Sequence, residues 1–365
     1  MVNHESTVPR GLWRERRWFI AVAILVVISS LAPIGPAAAF GPSKTFDEIV
    51  DWAQTVSTAN PDLVELFTYG HSVGGRPLIA LHITADVDQA RPDRSDFVFT
   101  GGLHANEVIG GEAAWRLADR LIAGYGVDPA ITDVLDTREA WVFPMMNPDG
   151  RAAVEGGLHG HRKNRAAYGG QSPGTVEVGV DLNRNFPHQF GLHDTGIEPR
   201  HNTWGGPEAL SEPETARFWE FLHDGARFDD IAAAIDYHGG AETLFVPWIN
   251  RIEHYFNPMA PEDAATFARL TDELFDVTGY DRIPLWYSAW GTLSDSLFET
   301  FGTYAFTQEL VEAFYPDDQV DLDARTDLAF DAAMVLLQDD ALVVPEPATV
   351  VLLTLGFAVA LRRHK

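Results

Sequence analysis

The most chemically suggestive pair in the chain is a histidine and a glutamate three residues apart, His104 and Glu107. They follow an apolar run at 97–100 and a Gly-Gly pair, so a loop leaving a strand can bring both side chains to one metal ion. His238, which ends a second apolar run at 231–237, would supply a third ligand. Two imidazoles and one carboxylate suit zinc, which in hydrolytic sites takes three protein ligands and leaves a position for water. The pattern therefore predicts one Zn²⁺ ion.

A water activated by a metal needs a base nearby. Glu309 is the candidate, because it lies in a largely apolar predicted strand at 304–310. A carboxylate in such a strand is unusual unless it has a function or a charged partner. An ion pair with a buried arginine is the structural alternative. Asp181 is a candidate to accept the second N–H of His104, since ligating histidines usually donate that N–H to a carboxylate, a carbonyl or water.

Asn183 and Arg184 stand side by side and offer an amide and a guanidinium fork. This combination suits a substrate that ends in a free carboxylate, because the planar guanidinium can bind both carboxylate oxygens. Without the surrounding pattern, a solvated loop arginine would be the better interpretation.

Composition limits the other possibilities. The chain has 365 residues, no cysteine and a formal net charge of −27. Disulfides, thiolate zinc sites and a cysteine nucleophile are therefore excluded, and any metal must be held by His, Asp or Glu. Such an acidic surface repels nucleic acid and anionic membranes, so neither is expected as a primary ligand.

Both ends of the chain have the pattern of targeting signals. Residues 1–39 have a basic stretch, an apolar core and small residues before position 40, which is the layout of a secretory signal peptide. An uncleaved anchor is the alternative. Residues 345–365 combine Pro-Glu-Pro, a short apolar segment and a basic end, and resemble the PEP-CTERM sorting tail of certain Gram-negative bacteria. The resemblance implies export to the cell surface or medium, transient membrane association and processing by an exosortase; a plain tail anchor is the alternative.

Between these ends, helical and strand patterns alternate, so we expect a single α/β domain at 40–344 with helices on both faces of a sheet. Thr45 and Glu48 predict a capping box for a helix at 46–59. Ser211 is predicted to cap a helix with Glu214 at the capping-box position. A turn is expected at 147–150, and long surface loops are expected at 156–200. The other predicted elements are strands at 63–69, 78–83, 97–100, 141–144, 231–237 and 304–310 and helices at 111–123, 260–278 and 325–338.

The motifs together resemble the M14 family of zinc carboxypeptidases, from about Thr45 to Asp340. The resemblance implies a mixed, mostly parallel central sheet and hydrolysis of the C-terminal peptide bond of peptide substrates. The segments that carry it are 69–78, 104–107, 147–150, 181–186, and Tyr287 paired with Glu309.

Residue roles follow from this resemblance. His104, Glu107 and His238 match the zinc ligands, and Glu309 matches the general base. The matches to substrate-contacting groups are Arg162 for the oxyanion, Asn183 and Arg184 for the terminal carboxylate, Tyr287 for the mobile tyrosine that closes over the bound end residue, and Ser294 for the side-chain pocket.

Two positions depart from the pancreatic-type pattern. Asn106 and His159 stand where cleft arginines are expected, which indicates altered contacts to the substrate upstream of the cut bond. Two other functions fit parts of the pattern. One is an amidase of the same scaffold, acting on cell-wall peptides or small acyl amino acids. The other is a non-catalytic surface-binding module. Side-chain preference, physiological substrate, oligomeric state and the metal loaded in the cell are not determined by these residues.

Overall fold

The computed structural model describes residues 42–169, 171, 174–192, 198–228, 230–248, 259–280, 289–312, 314–316 and 318–343. The predicted signal peptide, the predicted sorting tail and Tyr287 lie outside these residues. All of the described residues belong to one compact unit within Pro36–Lys365.

A seven-stranded mixed sheet forms the centre of the described part of the chain. The strands are β1 Val64–His71, β2 Pro77–Ile83, β3 Ser95–Gly101, β4 Arg138–Phe143, β5 Ile231–His238, β6 Ala241–Phe245 and β7 Tyr304–Val311. Their order across the sheet is β1-β2-β4-β3-β5-β7-β6. The four strands β4, β3, β5 and β7 run parallel, while β2 and β6 are antiparallel to their neighbours. The predicted mixed, mostly parallel sheet is therefore confirmed.

Helices cover both faces of this sheet, as predicted. The α-helices of the described residues are α1 Phe46–Ala59, α2 Val108–Gly124, α3 Pro129–Thr137, α4 Pro148–Glu155, α5 Pro213–Leu222, α6 Pro261–Thr278, α7 Leu293–Phe301 and α8 Gln319–Leu337. Short 3₁₀ turns occur at Leu182–Arg184 and Asp340–Leu342.

Alternation along each strand divides the core into two layers. Phe97 and Phe99 of β3 point to the layer shared with α1, α2, α6 and α8, while Val98 points to the layer shared with α5 and α7. All three side chains are fully buried, and removing each from water contributes about 1.5–3 kcal/mol. A strand buried on both faces is typical of the centre of a parallel sheet.

The first predicted helix is confirmed in detail. α1 spans Phe46–Ala59, and both capping-box hydrogen bonds between Thr45 and Glu48 are present. The second predicted cap is wrong. α5 has Glu212 at its N-cap position, with no side-chain cap bond. Tertiary partners explain the difference, since Ser211 Oγ accepts from Asn185 Nδ2 at 3.0 Å and the Glu214 carboxylate accepts from Val73 N at 3.1 Å.

Two loop predictions also need correction. The expected turn at 147–150 is the first turn of α4, where the Asn147 side chain caps the helix by accepting from Gly150 N at 2.9 Å. Within the expected surface loops at 156–200, Lys163 and Asp181 are completely buried. This segment therefore contributes interior side chains to the site as well as surface.

Candidate active site

Three parallel strands deliver the candidate residues to the same edge of the sheet. His104 follows the end of β3, His238 is the last residue of β5, and Glu309 lies two residues before the end of β7. His238 and Glu309 are direct partners in the β5–β7 register. Open α/β sheets bind ligands at the carboxyl ends of their strands, and this sheet concentrates its candidate chemistry there.

Close packing of α2 brings Glu107 to the same place. Glu107 occupies the N-cap position of α2, and Gly110 in the first turn of that helix lies directly against β5. A Cβ at Gly110 would be 2.2 Å from Tyr237 O, so only glycine allows the helix to approach this closely. The carboxylate is thereby placed beside the end of β5.

His104, Glu107 and His238 form a buried cluster whose ligating atoms all lie within 4.8 Å of one another. The Nδ1 atoms of the two histidines are 2.9 Å apart. Glu107 Oε1 lies 2.9 Å from His104 Nδ1, and Glu107 Oε2 lies 2.8 Å from His238 Nδ1. Both imidazoles thus turn the same ring nitrogen toward one common point.

This cluster fits a zinc ion. A tetrahedral zinc with bonds of about 2.0–2.1 Å places two ligand atoms roughly 3.3 Å apart. The observed separations of 2.8–2.9 Å need only a small outward shift to reach that value. Two imidazole nitrogens and one carboxylate also make up a known zinc-hydrolase ligand set, with a position left for water.

Each histidine is oriented by a carboxylate on its far side. His104 Nε2 lies 3.2 Å from Asp181 Oδ1, and His238 Nε2 lies 2.6 Å from Asp236 Oδ2. Asp236 in turn accepts from Thr100 Oγ1 at 2.7 Å. A carboxylate that accepts the Nε2–H leaves Nδ1 as the electron-pair donor and increases its basicity. Asp181 thus contacts the far side of His104, and Asp236 makes the same contact with His238.

Charges within the cluster shift its titration. Burial alone would lower the pKa of His238, but the carboxylates of Asp236 and Glu107 raise it well above its usual value. Burial would raise the pKa of Glu107, but the two histidines lower it. Histidine and carboxylate ligands bind a metal in their deprotonated forms, so metal binding at these groups is linked to proton release.

Glu309 is half-buried, and its Oε2 atom is buried without a hydrogen-bond partner among the described residues. Burial and repulsion from Glu107 raise the pKa of Glu309 to about 7. A carboxylate whose pKa lies near neutrality can both accept and return a proton, which is the property of a general base.

Arg162 lies between two acidic groups of the site. Its Nη1 donates to Glu107 Oε1 at 2.9 Å, and its Nε donates to Asp181 Oδ2 at 3.0 Å. This charge also holds the pKa of the buried Asp181 carboxylate well below its usual range, against the effect of burial. The guanidinium is thereby fixed beside the metal cluster.

The Asn-Arg pair occupies the 3₁₀ turn that Asp181 caps by accepting from Asn183 N at 3.0 Å. Asn183 Nδ2 lies 3.4 Å from His238 Nε2, and Asn183 Oδ1 accepts from Leu293 N at 2.9 Å. Arg184 is buried, and its Nη1 donates to Asn183 O at 2.6 Å. Asn183 thus contacts the candidate ligand His238, and Arg184 is the next residue of the same buried turn.

Ser294 lies in α7, buried, and its Oγ accepts from Thr307 Oγ1 at 3.2 Å. Thr307 precedes Glu309 by two residues on β7, so both side chains project from the same face of the sheet. Ser294 is therefore hydrogen-bonded to a residue on the same sheet face as Glu309. Tyr287 lies outside the described residues.

Comparison with known proteins decides the family. The profile of Peptidase_M14, described as zinc carboxypeptidase, matches residues 49–328, which is most of the chain. The chain belongs to the zinc carboxypeptidase family Peptidase_M14. The predicted zinc cofactor is confirmed at this level, since the family is a zinc family and the buried His-Glu-His cluster can hold one metal ion.

Relatives of this family member come from animals and bacteria. It is 28% identical over 271 residues to "Carboxypeptidase A5" of Macaca fascicularis, covering 73% of this chain and 59% of that protein. It is 28% identical over 292 residues to "Zinc carboxypeptidase" of Saccharothrix mutabilis subsp. capreolus, covering 75% of this chain and 64% of that protein. The matches thus span less than two thirds of the length of these relatives.

Solved structures of the zinc carboxypeptidase fold superpose well. Carboxypeptidase A from Helicoverpa armigera matches with a TM-score of 0.68 and 22% identity, covering 82% of this chain and 75% of that one. A metallo-carboxypeptidase from Burkholderia cenocepacia matches with a TM-score of 0.56 and 19% identity, covering 81% and 68%. At these identities the comparison establishes the fold.

The tail of this family member also has a match. Residues 343–365 match the PEP-CTERM protein-sorting motif, which confirms the predicted resemblance and begins two residues earlier than predicted. Across the described parts of residues 42–343, no helix combines the length and apolar character that a membrane crossing requires.

Sequence reasoning missed Asp236 and Thr100 as parts of the site, although one signal was present. Asp236 precedes His238 by two residues on a predicted strand, so the two side chains share a face. An aspartate in an otherwise apolar strand beside a candidate ligand is the pattern of a carboxylate that orients a histidine. The contact with Thr100 needed the β3–β5 register, in which Thr100 and Asp236 are direct partners.

Proposed function

We propose that this zinc carboxypeptidase family member is an exported metallocarboxypeptidase that hydrolyses the C-terminal peptide bond of peptides. The observation that carries the proposal is the convergence of the buried His104–Glu107–His238 cluster with Glu309, whose carboxylate carries a buried, unpartnered oxygen. A metal cluster alone would serve many functions. A metal cluster beside a base with a pKa of about 7 is suited to water-mediated hydrolysis.

The chain divides accordingly. We propose that residues 1–39 form a signal peptide, residues 40–344 the catalytic domain and residues 345–365 a sorting tail processed by exosortase-type machinery. The PEP-CTERM match at 343–365 supports the tail and export in a Gram-negative bacterium. The family match at 49–328 supports the central unit.

In the proposed mechanism, His104, Glu107 and His238 would hold one zinc ion, which would supply Lewis-acid polarisation and lower the pKa of water. Glu309 takes the proton as the water attacks the scissile carbonyl, and it returns the proton to the leaving amine. Arg162, held at the site by Glu107 and Asp181, stabilises the negative charge that develops on the carbonyl oxygen.

The remaining groups bind the end of the substrate. We propose that Asn183 and Arg184 bind the terminal carboxylate, with Tyr287 closing over the end residue and Ser294 contributing to its side-chain pocket. Support comes from the position of Asn183 beside His238 and from the suitability of a guanidinium for a carboxylate. A free C-terminal carboxylate is therefore the proposed common feature of the substrates.

The experiment is hydrolysis of N-blocked dipeptides by the purified protein, with C-terminal Phe, Leu, Arg, Lys and Glu, each with and without a chelator. The matched control is Glu309→Gln, which keeps the size of the side chain and removes the base. We expect release of the free C-terminal residue, abolished by the chelator and reduced at least about 100-fold in the variant. Absence of release by protein that holds one equivalent of zinc would overturn the carboxypeptidase proposal. Muropeptides and small acyl amino acids would then be assayed for amidase activity.

A further inference from the structure

Thr243 lies directly opposite Glu309 in the sheet. β6 and β7 are antiparallel, and their register pairs Thr243 with Glu309. Residues paired in this way project from the same face, with Cβ atoms about 4.5–5.5 Å apart. The row across the sheet is therefore His238 on β5, Glu309 on β7 and Thr243 on β6.

Both members of the outer pair hold an unpartnered polar atom. Thr243 is completely buried, and its Oγ1 has no hydrogen-bond partner within the described segments. Glu309 Oε2 is likewise buried and without a partner in those segments. A buried polar group without a partner costs about 1–3 kcal/mol, so two such atoms on directly paired residues of adjacent strands call for an explanation.

Nearby backbone donors are already engaged. Glu309 Oε2 lies close to Gly240, since a Cβ built on Gly240 would be 3.7 Å away from it. Gly240 N donates to Val311 O at 2.7 Å, and Gly239 N donates to Glu107 Oε2 at 3.2 Å. The hydroxyl of Thr243 is a donor on the neighbouring strand that has no partner among the described residues.

We propose that Thr243 is a positioning residue for the base, with its hydroxyl donating to the Glu309 carboxylate after rotation about χ1. Threonine has more than one accessible χ1 position, so the rotation leaves the backbone in place. The bond fixes the direction of the Glu309 carboxylate beside the metal cluster and satisfies both unpartnered atoms. Its catalytic consequence rests on the proposed function of Glu309.

The kinetic test compares three variants of the full, zinc-loaded chain. Thr243→Val removes the hydroxyl at constant shape, and Thr243→Ser keeps it. Thr303→Val is the matched control, because Thr303 is also completely buried with an unpartnered Oγ1 but lies just before the other end of β7. We expect Thr243→Val to lower kcat about 10-fold with KM and zinc content unchanged, and the other two variants to stay within twofold of the wild type. Equal kcat values for Thr243→Val and Thr303→Val would overturn the proposal.

A second test needs no activity and so separates this proposal from the proposed function. The melting temperature is measured for Thr243→Val alone and in a Glu309→Met background, which has no carboxylate. We expect the valine to lower Tm by about 2 °C or more with Glu309 present and to leave it unchanged or raise it with methionine present. The same Tm change in both backgrounds would refute the contact, whether or not peptides are cleaved.

Discussion

The contact between Asp236 and His238 leads to a prediction about the affinity of the cluster for zinc. Its Oδ2 lies 2.6 Å from His238 Nε2, its Oδ1 accepts from Thr100 at 2.7 Å, and the residue is buried. Asp236→Asn keeps the shape and a neutral hydrogen bond but removes the charge. Asp236→Ala removes the orienting contact as well. Carboxylates that orient metal-ligating histidines typically contribute 10–100-fold to affinity, so we expect the zinc dissociation constant to rise about 10-fold in the first variant and about 100-fold in the second.

These factors correspond to about 1.4 and 2.7 kcal/mol of binding free energy. The assay is competition for zinc with a chromophoric chelator at constant pH, because metal binding releases protons from the cluster. The metal-free proteins should be folded in all cases, which far-UV circular dichroism checks.

A matched control lies on β2 and β4. Glu139 Oε2 contacts His82 Nε2 at 2.9 Å, and both residues are buried, but neither belongs to the metal cluster. Glu139→Gln makes the same chemical change as Asp236→Asn and should leave zinc affinity unchanged. The reasoning is refuted if Asp236→Ala binds zinc within twofold of the wild type, or if Glu139→Gln weakens binding as much as Asp236→Asn does.

Two further predictions concern Gly240, in the connection between β5 and β6, and the buried carboxyl group of Glu214. Gly240 has φ +135° and would place a Cβ 3.3 Å from Phe314 Cε1, so Gly240→Ala should lower stability by about 1–3 kcal/mol and kcat/KM by more than 10-fold. Gly302→Ala, at φ +74° in open space, should leave kcat/KM unchanged, and equal losses in the two variants would contradict this account. Burial raises the pKa of Glu214 from 4.5 to about 7. Its stabilising contribution is therefore fully present below pH 4.5 and lost as the pH rises through 7. From pH 5 to pH 8 the wild type should lose about 2 kcal/mol of unfolding free energy that Glu214→Gln does not lose, and parallel pH profiles from denaturant titrations would show that this carboxyl is not responsible.

Local patterns predicted the parts of the fold that depend on neighbours in sequence. The helix at 46–59 has its caps, its acidic first turn and its apolar face within one short segment, and it forms as expected. The metal cluster could also be predicted from the sequence, since His104 and Glu107 share a loop after one predicted strand and His238 ends another. Strand ends of a parallel sheet meet at one edge, so the three residues converge without any detailed knowledge of register.

Predictions were wrong where a polar side chain had a choice of partners. Ser211 and Glu214 match a capping box, but distant groups bind them instead, as the 3.1 Å contact from Val73 N to Glu214 demonstrates. Asn147 looked like part of a turn, and its side chain caps α4 while also donating to Lys163 O at 3.1 Å. A hydrogen bond to a residue far along the chain has no signature in the local pattern.

The sequence by itself determined the chemical inventory of this protein: no thiols, one histidine-carboxylate set for zinc, carboxylates within apolar strands, and a sorting motif at 343–365. Only the tertiary structure decided which groups support that inventory. Strand register places Asp236 beside Thr100, and Thr243 beside Glu309, and a shift of one residue would turn each of these side chains to the opposite face. Register is selected by the packing of two complete cores, so it depends on the whole chain rather than on any segment of it.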